Sequence, residues 1–294
     1  MPDTHVIVSP ERIVHANGVE LCVQTFGSAA AAPVLLIAGA ASSMLYWQQE
    51  FCERLAAGSR FVIRYDHRDT GRSTTDPPGC PSYTAIDLVD DVIGVLDALQ
   101  LPRAHLVGLS MGGGLAPVAA VQHPERVASL TLIATSPAGP GEGDDLPSMS
   151  DRTVAEFEAV PEPDWADRES VIDHLVEQER LCAARSQPFD AAGMRADMAR
   201  VVDRSPSIRS MFNHFAVGGG ESYRKRLGEI AAPTLVLHGD EDPIFPPPHG
   251  VALAAEIPNA RLITLPGVGH ELPRRAWDAV VPAILAHTAG ADDR

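Results

Sequence analysis

Three side chains in this 294-residue chain have the types and the order that acyl transfer requires. The first is Ser110, at the centre of Gly108-Leu109-Ser110-Met111-Gly112, a G-x-S-x-G pattern. An apolar run from Ala104 to Val107 leads in, and an Ala- and Val-rich run from Leu115 to Val121 leads out. That setting reads as strand, sharp turn and helix. A serine at the apex of such a turn stands with its hydroxyl above the sheet edge. Glycines two residues to either side leave space where a Cβ would collide with a neighbouring strand or helix. A helix-capping serine in a glycine-rich turn has the same local pattern, so the base and the acid must decide.

A serine hydroxyl is a poor nucleophile near neutral pH. It needs an imidazole as base, and the imidazole needs a carboxylate to fix its tautomer and stabilise its charged form. In open α/β sheets such groups collect at the carboxyl ends of strands. Asp240, Glu241 and Asp242 follow a strand candidate that ends at His238, and His270 follows one that ends at Leu265. Among eleven histidines, His270 alone combines a post-strand loop, small neighbours (Gly267, Gly269) and a place after the acid. His67 also follows a strand but precedes the serine. His238 reads as buried or at an edge. His174 and His214 fall in an insertion where they could touch substrate. Asp240 directly follows Gly239 and suits a turn cap. Asp242 precedes Pro243 and a stiff Phe245-Pro246-Pro247-Pro248 segment, and is the preferred acid. An oxyanion also needs donors. The NH of Met111 is one, and the NH of Ala40, in the loop Gly39-Ala40-Ala41, is the other.

The elements that must position these groups follow from hydrophobic patterning. Asn17-Gly18 between alternating runs over residues 13–26 predicts a hairpin. Pro33 to Ala38, Phe61 to Tyr65, the run into Ser110, Val127 to Ala134, Thr234 to His238 and Arg261 to Leu265 predict strands. Met44 to Ala57, Thr84 to Leu99, Leu115 to Val121, Val251 to Ile257 and Trp277 to His287 predict helices. Ala289 to Arg294 read as frayed. Strand and helix alternate, which predicts a mostly parallel eight-stranded sheet with right-handed crossovers and helices on both faces. Residues 136–228 break the alternation. They are polar, with helical patches such as Val171 to Ala184 and no strand candidates, and end at Gly218-Gly219-Gly220. The expected organisation is a core of residues 1–135 and 229–294 with a helical cap, or lid, of residues 136–228. Ala41, Phe212, Phe215 and Ile244 are candidate pocket residues, with Trp165 and Met211 as further wall candidates.

Composition narrows the partners. Apolar residues at 45% and charged residues at 21% are ordinary for a globular chain. A formal charge of -16 argues against nucleic acid and anionic membranes. Cys22, Cys52, Cys80 and Cys182 are scattered, without disulfide-framework or zinc spacing. No basic region followed by an apolar run opens the chain, and no run approaches the ~20 apolar residues of a membrane span. A cytoplasmic enzyme, monomer or homodimer, acting on a small-molecule ester without metal or organic cofactor is expected.

The motifs around Ser110, Gly239-Asp240-Glu241-Asp242-Pro243 with Pro246, and Gly267-Val268-Gly269-His270 resemble the three catalytic signatures of the α/β-hydrolase superfamily. His123-Pro124-Glu125-Arg126-Val127 is similar to its usual helix end after the nucleophile. The resemblance spans about residues 13–135 and 230–288. Arg64-Tyr65-Asp66-His67-Arg68-Asp69-Thr70-Gly71-Arg72-Ser73-Thr74 and the pattern over 242–250 further resemble the aclacinomycin methylesterases of anthracycline biosynthesis. Those enzymes release methanol from a carbomethoxy group on a polycyclic polyketide. The resemblance implies an α/β-hydrolase fold with Ser110 as nucleophile, Asp242 as acid, His270 as base, and Met111 with Ala40 as the oxyanion pair. Two features depart from it. Ala38-Gly39 stands where many members have His-Gly, and 136–228 matches poorly. A general carboxylesterase or lactonase, a carbon–carbon bond hydrolase on the same triad, a cofactor-free peroxidase-like enzyme, and a non-catalytic binder are the competing readings.

Overall fold

In a computed structural model, which describes residues 6–137, 145–218 and 223–292, Asn17 and Gly18 turn the chain with φ of 46° and 77°. They join β1 (Arg12–Ala16) to an antiparallel β2 (Val19–Phe26). Then come β3 (Ala32–Ile37), β4 (Arg60–Tyr65), β5 (Ala104–Leu109), β6 (Val127–Ile133), β7 (Thr234–Gly239) and β8 (Arg261–Leu265). They form one eight-stranded sheet in the order β1-β2-β4-β3-β5-β6-β7-β8. Pairing is parallel from β4 through β8 and antiparallel only at β1–β2 and β2–β4. The expected mostly parallel sheet is what the chain builds.

Parallel strands need cover on both faces, and continuous apolar runs supply it. One core joins the sheet to α2 (Ala85–Ala98), α3 (Met111–Gln122) and α7 (Pro248–Glu256) through side chains such as Leu88, Val92, Leu115 and Leu253. The opposite core joins it to α1 (Gln49–Ala57) and α8 (Trp277–Asp292), where Phe51 stacks on Trp47 with ring centroids 5.6 Å apart and meets Trp277 edge-on at 5.5 Å. Between β6 and β7 lie α4 (Asp151–Glu158), α5 (Arg168–Cys182), α6 (Ala191–Arg204) and a 3-10 segment, Ile208–Phe215. Part of this insertion, including Gly219 and Gly220, lies outside the described residues.

Three expectations are corrected. Met44 to Ala57 is not one helix: a 3-10 turn over Met44–Tyr46 stops at Trp47, and α1 starts at Gln49. The buried Arg64 guanidinium donates to the Trp47 carbonyl, which takes that oxygen out of any helical ladder. Helix α7 begins at Pro248, before Val251, because proline at a first helical position lacks only an NH that has no acceptor anyway. The end of the chain is not frayed from Ala289. Helix α8 runs to Asp292, whose carboxylate pairs with Arg60 (3.2 Å) and with His105 (3.0 Å) beneath the sheet. No helix among the described residues is long and apolar enough to cross a membrane.

Candidate active site

Strand β5 delivers Ser110 into the turn before α3 with φ 51° and ψ −115°, a backbone that residues bearing a Cβ seldom adopt. Packing enforces it. The Ser110 NH donates to the Ile133 carbonyl (2.9 Å), and the Thr135 hydroxyl donates to the Ser110 carbonyl (2.8 Å). A Cβ on Gly108 would lie 2.2 Å from the Gly112 carbonyl oxygen, and one on Gly112 2.3 Å from that of Ile37. The turn therefore closes only with glycine at both positions.

His270 Nε2 lies 2.9 Å from Ser110 Oγ. On the other side of the ring, Nδ1 is 2.9 Å from Oδ2 and 3.1 Å from Oδ1 of Asp242. With Nδ1–H donated to the carboxylate, the Nε2 lone pair faces the serine hydroxyl. Asp242 is buried, and also accepts the NH groups of Ile244 and Phe245, each at 2.9 Å. Burial alone would raise its pKa; the imidazole of His270 and these donors outweigh that and hold it below the ordinary carboxylate value. Asp240 instead accepts the Gly267 NH at 2.7 Å, a loop brace away from the imidazole. The His270 NH donates to the Cys182 carbonyl (2.7 Å), so the end of α5 pins the loop that carries this ring.

Across the serine lies the loop after β3. The NH of Met111, first residue of α3, has no acceptor in the helix. The NH of Ala40 makes no hydrogen bond among the described residues, while that of its neighbour Ala41 donates to His214 Nδ1 at 3.0 Å. Position 38 carries no imidazole of its own, but one reaches its carbonyl. Buried His67 donates from Nε2 to the Ala38 oxygen (3.1 Å), and burial together with His214 pushes its pKa down to about 3. It is thus a neutral strut near neutral pH. Asp66, next to it, accepts the Met44 NH at 2.8 Å and pairs with Arg204 at 2.6 Å.

Above Ser110 opens a cavity of about 950 Å³ with predominantly apolar walls. Ala40, Ala41, Met111, Ile244, Phe212 and Phe215 all line it, as does His270. Phe215 is 70% exposed, so it sits at the mouth and not within the wall. Met211 lines the cavity, but Trp165 does not. The indole packs edge-on against Phe212 at 5.7 Å and faces a separate small hollow, with its Nε1–H donated to Glu162. Glu179, Asp197 and Glu271 bring carboxyls to the wall, and burial raises Glu179 to about 7, against the opposing pull of His270.

The sequence offered no signal for Glu179, which lies in a polar helix. His67 was visible there only as a histidine preceding the serine, and the segment Arg64 to Thr74 only through its resemblance to the aclacinomycin methylesterases, without a structural role. Buried Asp66, His67, Asp69 and Thr70 make it an internal brace instead. Among the described residues no group of three or more His, Cys, Asp or Glu side chains is arranged to hold a metal ion.

A sequence profile described as the alpha/beta hydrolase fold matches residues 32–273. The chain is 35% identical to a rhodomycin D methylesterase of Streptomyces sp. strain C5, over 96% of this chain and 99% of that one. It is 34% identical to a rhodomycin D methylesterase of Streptomyces peucetius, with the same coverage. Among solved structures, an esterase from Exiguobacterium antarcticum superposes with a TM-score of 0.76 at 21% identity, over 95% of this chain and 100% of that one; this is a likeness of fold.

Proposed function

Because this chain belongs to the α/β-hydrolase family, we propose that it is a serine hydrolase that cleaves a methyl ester on a polycyclic, polyketide-type molecule through an acyl-enzyme. The observation that carries the reading is the relay from Ser110 Oγ to His270 Nε2 (2.9 Å) and from His270 Nδ1 to Asp242 Oδ2 (2.9 Å) at the floor of the cavity. His270 takes the hydroxyl proton as Ser110 attacks the ester carbonyl. The NH groups of Ala40 and Met111 hold the oxyanion, and Asp242 stabilises the imidazolium. His270 then gives that proton to the ester's methoxy oxygen, and methanol leaves. Water enters and gives a proton to His270 as it attacks the acyl carbonyl, and His270 passes that proton to the departing Ser110 Oγ, which releases the carboxylic acid and restores the serine.

The size and apolar walls of the cavity favour a multi-ring acyl part over a short aliphatic one. The rhodomycin D methylesterases, similar along nearly their whole length, support the methyl ester and a place in antibiotic biosynthesis. Residues 136–228 act in this reading as the lid that covers the bound ester and limits bulk water around it, in a cytoplasmic enzyme. A fluorophosphonate should label the wild type and not Ser110→Ala. Rhodomycin D should yield its free acid and one equivalent of methanol. Labelling without methanol release would leave a serine esterase of another substrate, and absence of labelling would overturn the catalytic reading.

A further inference from the structure

The loop after β3 is held from three sides. His67 Nε2 holds the Ala38 carbonyl, Asp66 Oδ1 holds the Met44 NH, and His214 Nδ1 holds the Ala41 NH. The third contact is unlike the others. His214 belongs to the 3-10 segment Ile208–Phe215 of the insertion, and Ala41 has a left-handed φ of 53°, rare for a residue with a Cβ. His214 Nε2 donates to the Arg68 carbonyl at 2.8 Å, which fixes its tautomer and leaves the Nδ1 lone pair for Ala41. Its seat is rigid. Buried Asn213 donates to Asp69 Oδ2 (2.8 Å) and to the Pro77 carbonyl (3.1 Å) and accepts the Gly79 NH (2.6 Å). Ser210 donates to the Asp76 carbonyl at 2.7 Å. Burial lowers the pKa of His214, so the ring keeps that lone pair.

We propose that His214 is a positioning residue of the oxyanion loop: by accepting the Ala41 NH it locks the left-handed backbone there and leaves the adjacent Ala40 NH as the loop's one donor to the oxyanion. Two neighbouring NH groups could compete for that role, and the imidazole removes one of them. The insertion then shapes the chemistry as well as the pocket. This inference rests on the serine-hydrolase reading and on Ala40 and Met111 as oxyanion donors.

The test compares three variants on a p-nitrophenyl ester, with kcat expressed per site labelled by fluorophosphonate. His214→Ala should lower kcat and the rate of phosphonylation together, about ten- to a hundredfold, with KM within about twofold, as expected when only the transition state loses support. His214→Asn offers an oxygen near the Nδ1 position and should recover most of kcat. His214→Gln carries its amide near Nε2, keeps the Arg68 contact and should not. Recovery by Gln but not Asn, a change confined to KM or melting temperature, or loss of folded protein in all three variants would assign His214 to stability and overturn the proposal. If the serine-hydrolase reading itself fails, the wild type will neither label at Ser110 nor turn over. If only this inference fails, the wild type remains a normal esterase.

Discussion

The sheet rim and the insertion both face the cavity, yet they are built differently. At the rim, β4, β5, β6 and β7 are buried along their whole lengths, and Ser110, Asp242 and His270 leave strand ends whose backbones are tied into the ladder. The insertion has a small apolar cluster of its own, centred on Val171, Leu175 and Met211. Much of its surface is ion-paired, as in Arg168–Asp203 (2.6 Å) and Arg180–Glu177 (2.5 Å). Exposed pairs of this kind contribute about 1 kcal/mol or less each. Polar contacts tie it to the core, among them the Cys182 carbonyl on the His270 NH, Ser186 on Glu241, Arg204 paired with Asp66, and Asn213 with His214 on the 66–79 loop. The rim owes its geometry to the buried sheet, whereas the insertion fixes atoms only where single polar contacts, such as those of His214 and Cys182, reach the core.

The contrast predicts effects of different kinds. Asp242→Asn at the rim should lower kcat about ten-thousandfold by favouring the wrong His270 tautomer, with the fold retained. Steady-state turnover and a thermal melt check this, and a loss below about a hundredfold would place the control of His270 elsewhere. Leu175→Ala, which empties a buried site in the insertion, should cost about 2–4 kcal/mol in a denaturant melt while kcat on a small ester stays within about threefold. A collapse of kcat on the small ester would erase the distinction between the regions.

The smallest effect concerns Glu179. Its carboxyl is raised by burial from 4.5 to about 7, so the folded state holds the proton more tightly than the unfolded one. The resulting stability is complete below about pH 4.5 and is lost as pH rises through about 7. Glu179→Gln should therefore melt a few degrees above the wild type at pH 8 and show no such gain at pH 4. Equal differences at the two pH values would mean that the carboxyl is solvated, and that the insertion presents water, not an apolar wall, to the cavity.

Legibility in the sequence followed the same division. Continuous apolar runs marked the central strands β3, β4, β6 and β7 within about a residue, because burial on both faces leaves little other pattern. The Gly108-Leu109-Ser110-Met111-Gly112 turn and the post-strand positions of Asp242 and His270 were visible because their chemistry dictates residue types and order. Pocket residues fared unevenly. Phe212 and Ile244 line the cavity, Phe215 stands at its mouth, and Trp165 packs outside it, since helical spacing cannot say which face of a polar insertion turns inward. The break at Trp47 was hidden, because its cause is Arg64 on another strand.

By itself the sequence determined which groups could react and on what kind of sheet edge they stand. Both follow from local rules: small residues at a strained turn, apolar runs in strands, acid and base after strand ends. Only the tertiary structure decided which buried polar groups hold the loop after β3. Asp66 and His67 reach it from the segment after β4, and His214 from 173 positions beyond Ala41. A buried hydrogen bond depends on where its partner ends up in space, and no spacing along the chain encodes that.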